Sequence, residues 1–389
     1  MKIILYILII LIIILLALLL KNKNIFVTII CSLIILEIIA SPKLCIDGAV
    51  SGSLLFFYKV FPSLFSFLIV SNVIMAYDGI YIYSKILGTA LCRPLRLPKS
   101  CSFVLMISLL CGYPLGAKYA CDLYEKNIIN LKTCERLLNI ASNASPLFVL
   151  GSVGISMLKD SKIGYILLLS NALSCIAMGF FLPADIYGQK NGFKGTHTYS
   201  DSNIGNVLKS SIENSIKTCL SIGGFVTLFS VVNNIVKSNY LFSSFSYKLS
   251  LLLNTPQDIL QGFLLGIIEM TNGCNLVSSS NSSILLKIAL VSFLFTFSGF
   301  SIISQVYSFT YKFNISMKKY TFRKILQGIS CSIISIILYK LMYFSQSKQS
   351  FNINYISTYS LEYSFIITII FLIMLPWIIF KIKKLFHIS

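Results

Sequence analysis

Gly112-Tyr113-Pro114-Leu115-Gly116-Ala117-Lys118 interrupts one apolar run, and Asn143-Ala144-Ser145-Pro146 interrupts a run downstream of it. A second pair repeats the arrangement: Glu269-Met270-Thr271-Asn272-Gly273, then Ser298-Gly299-Phe300-Ser301 with Gln305. Helix-breaking, hydrogen-bonding residues at membrane depth are tolerated only where they line a cavity or are buried in protein. Interrupted segments in corresponding positions of two halves point to the binding site of a transporter.

The surroundings of these islands are those of a membrane protein. Of 389 residues, 56% are hydrophobic and 12% charged, against about 25% charged in a soluble domain. The formal charge is +19. The basic residues cluster between apolar spans and form no single stripe, so they set orientation and do not imply nucleic acid. The 11 cysteines contain no Cys-x-x-Cys pair. Most lie in apolar runs and behave as small hydrophobes. Cys101, Cys111 and Cys121 lack the histidine or acidic companions of a zinc site. Neither a metal nor another cofactor is expected.

About nine spans of roughly 20 residues are expected, near 3–20, 25–40, 59–76, 137–158, 163–183, 217–236, 284–311, 325–343 and 361–380. The run Ile3–Leu20 has no small-residue cleavage site before Lys21 and reads as a retained helix. Residues 101–121 and 257–281 are too broken to be good spans and read as re-entrant hairpins. The fold class expected is therefore all-α and polytopic. Residues 77–100 read as an interfacial amphipathic helix ending at Arg93-Pro94. Residues 185–209 read as a polar linker, 344–360 as an outer loop, and Trp377 as an interfacial anchor.

Charge tests this topology. With Lys21 and Lys23 inside, the inner loops hold Lys85, Arg93, Arg96, Lys99, Lys118, Lys126, Lys132, Arg136, Lys190, Lys194 and Lys209. They also hold Lys312, Lys318, Lys319, Arg323, Lys324, Lys381, Lys383 and Lys384. That makes about 21 basic residues inside against about 7 outside, the bias the positive-inside rule demands. The first hairpin then opens inward and the second outward. This is an inverted-topology repeat: 1–44 N-terminal helices, 45–184 first repeat, 185–209 linker, 210–345 second repeat, 346–389 C-terminal loop and helix.

The islands supply the candidate binding residues. Gly112 and Gly116 allow backbone shapes closed to other residues, and Pro114 cannot continue a helix. A hairpin tip offers N–H groups and the positive end of a helix dipole to an anion. Lys118 adds charge, unless it snorkels to the interface. Tyr113 lies between Gly112 and Pro114 at this tip. Asn139 and Asn143, four residues apart, share a helix face; Ser145 and Pro146 follow, and Pro146 frees a carbonyl. Interhelical hydrogen bonding is the other reading of these groups. Glu269, Thr271 and Asn272 form the opposite tip. Glu269 is a proton carrier, a sodium ligand or half of an ion pair. Ser298, Gly299, Ser301, Ser304 and Gln305 supply a fourth wall, or plain helix packing.

An enzyme is not expected. His197 and His387 are the only histidines, and no nucleophile–base pair, P-loop, HExxH or dinucleotide fingerprint occurs.

These motifs carry a resemblance. Phe61-Pro62-Ser63-Leu64-Phe65, Arg93-Pro94-Leu95, Ser108 through Lys118, Asn143-Ala144-Ser145-Pro146-Leu147-Phe148 and Glu269 through Gly273 resemble the YlbJ sporulation integral membrane protein family, also called SpoVV, with its "Gate" nucleoside-recognition type domain. The resemblance covers about residues 45 to 345. Cys111 stands where the family has serine, and Ser145 where it has glycine. The resemblance implies a fold like that of concentrative nucleoside transporters. It also implies a place in the outer forespore membrane and transport of dipicolinic acid from the mother cell toward the forespore during sporulation. The partners implied are a small anionic solute, the lipid bilayer and a coupling ion, proton or sodium; homo-oligomerisation is compatible with it. A transporter of another small ligand, such as a nucleoside, and a non-transporting membrane scaffold for spore cortex or coat assembly are the alternatives.

Overall fold

The computed structural model describes residues 23–183 and 203–346, with isolated positions 374, 377 and 378. The expected spans 3–20 and 361–380, most of the linker and most of the outer loop lie outside the described residues. Within them every regular element is helical.

Chain order gives α1 (Lys23–Ala40), α2 (Pro42–Leu55), α3 (Phe61–Ala76), α4 (Gly79–Ile86) and α5 (Gly88–Cys92). Next come α6 (Ser102–Cys111), α7 (Leu115–Glu125), α8 (Leu131–Ile140), a π-helical stretch Leu147–Met157 and α9 (Ser161–Phe181). After the linker follow α10 (Ile204–Ser238), α11 (Tyr240–Leu253), α12 (Gln257–Ile268) and α13 (Met270–Ser279). The last three are α14 (Ile284–Phe297), α15 (Gly299–Thr310) and α16 (Met317–Gln346).

Four unbent stretches are long and apolar enough to cross a bilayer, and three sharply bent pairs raise this to seven among the described residues. The chain is a multi-pass integral membrane protein. Large apolar side chains cover its outside: Leu33 and Ile39 on α1, Leu220 and Leu228 on α10, Ile333 and Leu341 on α16 are all exposed. Lipid is the solvent that makes such a surface stable.

Several boundaries differ from the sequence reading, each for a physical reason. Residues 42–55 lie between the expected spans 25–40 and 59–76, yet they form α2, turned by 106° from α1. Their glycines and serines lower the hydropathy, and the same small side chains let α2 approach α10 closely. A Cβ on Gly52 would lie 2.7 Å from Ser230 Cβ and 3.0 Å from Thr227 Cα. Ser53 and Thr227 hydroxyls pair at 3.3 Å. Gly52→Leu is expected to cost about 1–3 kcal/mol through overpacking, read as a lower melting temperature in detergent.

The expected span 217–236 is the middle of the longer α10, which takes in the end of the expected linker. The span 325–343 starts earlier, at Met317, so Lys318, Lys319, Arg323 and Lys324 are helical and not loop residues. The expected interfacial helix begins as α4, bent 89° from α3, then breaks up into short turns because Pro94 and Pro98 deny the backbone its donors. The spans 137–158 and 284–311 are both interrupted, at residues 141–145 and at Ser298.

Two antiparallel helical hairpins occupy the predicted positions. In the first, α6 runs to Gly112 and α7 returns, with Gly116 packed on Ser108. In the second, α12 runs to Glu269 and α13 returns, with Gly262 against Val277 and Gly266 against Gly273. Each hairpin is followed by its interrupted helix: α8 with the π stretch, then α14 with α15.

Candidate functional site at the hairpin tips

The first tip owes its shape to Gly112. Its φ is +76°, and a Cβ there would sit 2.5 Å from Ser145 N. Only glycine meets both conditions without strain. This contact lays the tip directly on the interruption at 141–145.

A backbone interruption inside a bundle exposes carbonyls that must find donors. Here each finds a separate one. Ala141 O accepts from Ser108 Oγ of the hairpin. Ser142 O accepts from Lys324 Nζ of α16 at 2.7 Å. Asn143 O accepts from Tyr113 N at the tip, at 2.6 Å. Ala144 O accepts from Asn171 Nδ2 of α9 at 3.4 Å. Ser145 O accepts from Val149 N, which restarts the helix. Pro146 has no N–H to give, and the winding after it is π-helical.

The side chains extend the same net. Asn143 Nδ2 donates to Ser108 Oγ at 3.3 Å, and its Oδ1 accepts from Cys175 Sγ. Ser145 Oγ accepts from Phe148 N. Asn139 is buried on α8, donates to Glu135 O, and leaves its Oδ1 without a partner.

The second tip is built on a cap. Glu269 precedes α13, and its carboxylate accepts from Thr271 N at 3.0 Å and Asn272 N at 2.8 Å. A carboxylate on the N–H groups of a helix start is favoured by hydrogen bonding and by the dipole. Glu269 is buried, and Thr271 and Asn272 are partly buried. The following interruption closes onto this tip. Ser298 has φ +74° and Gly299 φ +70°; a Cβ on Gly299 would lie 3.2 Å from both Gly266 O and Met270 N. Gln305 is buried nearly two turns beyond, on α15.

The two tips meet. Tyr113 Oη reaches across to Met270 Sδ at 2.9 Å and to Phe295 O at 3.2 Å. The same ring is within electrostatic reach of Glu269 and Tyr320. The surrounding packing is reciprocal: α7 of the first hairpin packs on α15, and α13 of the second packs on the π stretch.

Gly112, Tyr113, Gly116, Asn143 and Ser145 are thus joined at the first tip, Glu269, Thr271, Asn272 and Gly299 at the second, and Tyr113 links the two. Lys118 stands elsewhere. It pairs with Asp122 at 3.1 Å, lies over the Tyr119 ring, and faces a cavity of about 680 Å³ shared with Asn72 and Lys217. One helical turn carries its side chain off the tip.

The cation that does reach the junction is Lys324. It is fully buried and also donates to Gln327 Oε1 at 3.1 Å. Beside it Ser142 Oγ pairs with Tyr320 Oη at 2.8 Å. Sequence reasoning passed it over because it follows Lys318, Lys319 and Arg323 and reads as one of a loop cluster. The available signal was its helical spacing: Tyr320, Lys324 and Gln327 fall on one face.

No family model matches the chain. The chain is 28% identical over 330 residues to the sporulation integral membrane protein YlbJ of Bacillus subtilis (strain 168), covering 79% of this chain and 80% of that one. That is the resemblance the polar motifs carry. A solved structure of CNTnw in an inward-facing substrate-bound state is 13% identical, with a TM-score of 0.46 over 72% of this chain and 75% of the other.

Proposed function

We propose that the chain is a secondary transporter with two inverted repeats, and that its solute binds where the two hairpin tips meet. The supporting observation is the reciprocal junction: Tyr113 touches Met270, while each returning arm packs on the other repeat's interrupted helix. Broken helices converging on one point place helix dipole ends around a shared site, as alternating access requires. The repeats are 45–184 and 210–345, joined by the 185–209 linker.

The solute proposed is dipicolinic acid, a flat pyridine dicarboxylate carrying two negative charges at neutral pH. The relative's name places that protein in sporulation, and we extend the setting to this chain: the outer forespore membrane, with a proton or sodium ion as the coupling partner. Gly112, Tyr113, Asn143 and Ser145 would hold one carboxylate, and Thr271, Asn272 and Gly299 the other, with the Tyr113 ring against the pyridine. Asn139, Ser298 and Gln305 form the outer ring of the site.

The test is uptake of labelled dipicolinate by the full chain in liposomes, with and without an imposed proton or sodium gradient. Uptake above empty liposomes is expected, with Asn143→Ala reduced about tenfold or more, because a charge-assisted contact contributes about 1.5–3 kcal/mol. Uptake of a nucleoside in place of dipicolinate would reassign the substrate. Transport of neither would remove the reading.

A further inference from the structure

Lys324 sits where no lysine is expected to be stable by itself. It is 0% exposed on α16, a membrane-spanning helix. No carboxylate of the described residues lies within ion-pair distance of it. Its two acceptors, Ser142 O and Gln327 Oε1, are both neutral. An ammonium has three donors, and a buried cation without a counter-charge carries a large desolvation cost. Residues of this kind inside membranes mark functional sites.

The location gives that charge a purpose. Ser142 belongs to the interruption on which the first tip rests, and Tyr320 on the same face of α16 pairs with the Ser142 hydroxyl. Tyr113 lies within electrostatic reach of both Tyr320 and Glu269. Glu269, the acid at the opposite tip, already has its carboxylate held by Thr271 N and Asn272 N. It is therefore not the partner Lys324 lacks.

We propose that Lys324 is the counter-ion for the anionic solute and sets the protein's preference for carboxylates over neutral ligands. This rests on the transport reading above and adds α16 to the site. A carboxylate is a stronger acceptor for an ammonium than a backbone carbonyl or an amide. The solute would take the Lys324 donors from Ser142 O and Gln327 Oε1, and so release the interruption at 141–145 from α16. Binding and movement of the broken helix would then share one contact.

The experiment compares two ligands of one shape, dipicolinate and its uncharged diamide, pyridine-2,6-dicarboxamide. Binding of each to the purified full chain is measured by ligand-induced thermal shift. The wild type is expected to bind the dianion about 30-fold more tightly than the diamide, the lower end of what a buried charge pair contributes. Lys324→Met and Lys324→Gln are expected to remain folded and to lose most of that preference, while Lys324→Arg keeps part of it. Gln retains a donor for Ser142 O, so its loss of preference would report charge and not a broken strut.

Equal wild-type affinity for the two ligands overturns the counter-ion role without needing any variant, and leaves the transport reading standing. An unchanged preference in folded Lys324→Gln overturns it as well. Binding of neither ligand by the wild type defeats the transport reading itself, and the counter-ion role with it.

Discussion

Gly112→Ala is expected to lower stability by about 3 kcal/mol and to abolish uptake. Two costs add. An L-residue at φ +76°, ψ −163° is held in a backbone region essentially open only to glycine, at about 1–3 kcal/mol. The new methyl group would also stand 2.5 Å from Ser145 N and 2.9 Å from Asn143 O, both main-chain atoms that cannot swing aside. Overpacking of this kind costs about 1–3 kcal/mol. The tip must lift off the interruption, which breaks the Tyr113 N to Asn143 O bond and moves Tyr113 away from Met270. Gly224→Ala is the matched comparison. Nothing lies within 4 Å of its added methyl group, and it sits within α10. That change is expected to be neutral or to stabilise by up to about 1 kcal/mol. Melting temperatures of the two variants in one detergent decide the matter, and equal values would contradict the tip geometry.

Glu269→Ala carries the second large effect. The carboxylate satisfies two main-chain donors of α13, on Thr271 and Asn272, at a buried position. Its loss leaves both without their acceptor, at about 1–3 kcal/mol for each group that stays dry. A combined loss of about 2–4 kcal/mol is expected. Glu269→Gln keeps one acceptor oxygen and should recover about half. If Gln restores stability but not uptake, the charge of Glu269 serves transport beyond its cap. If Ala is as stable as wild type, the capping role is wrong. The second tip would then be held by the close packing of Gly266, Gly273 and Gly299 alone.

The interruptions were legible because their causes are local. Pro114 and Pro146 lack an N–H, Gly112 and Gly299 accept positive φ, and Glu269 followed by Thr271 and Asn272 caps a helix start. Each acts within one turn of chain, so the two hairpin tips appear in the sequence close to where the structure has them, while the breaks at 141–145 and Ser298 fall inside expected spans whose polar residues mark them. The Gly48-x-x-x-Gly52 spacing is equally local, but it falls between the expected spans, where low hydropathy hides a close helix contact.

The facing of long side chains was not legible. Lys118 directly follows the first tip, yet its helix turns it toward Asp122 and the cavity at α10. Lys324 ends a run of basic residues, yet α16 turns it onto Ser142. Spacing along a helix says which residues share a face, but not what that face meets. That is decided by neighbouring helices far away in the chain, here an interruption 182 residues earlier. The amino-acid sequence determined on its own that the chain lives in a bilayer and where its helices must break. Only the tertiary structure decided which breaks touch and which positive charge is buried among them, because burial is a property of packed neighbours.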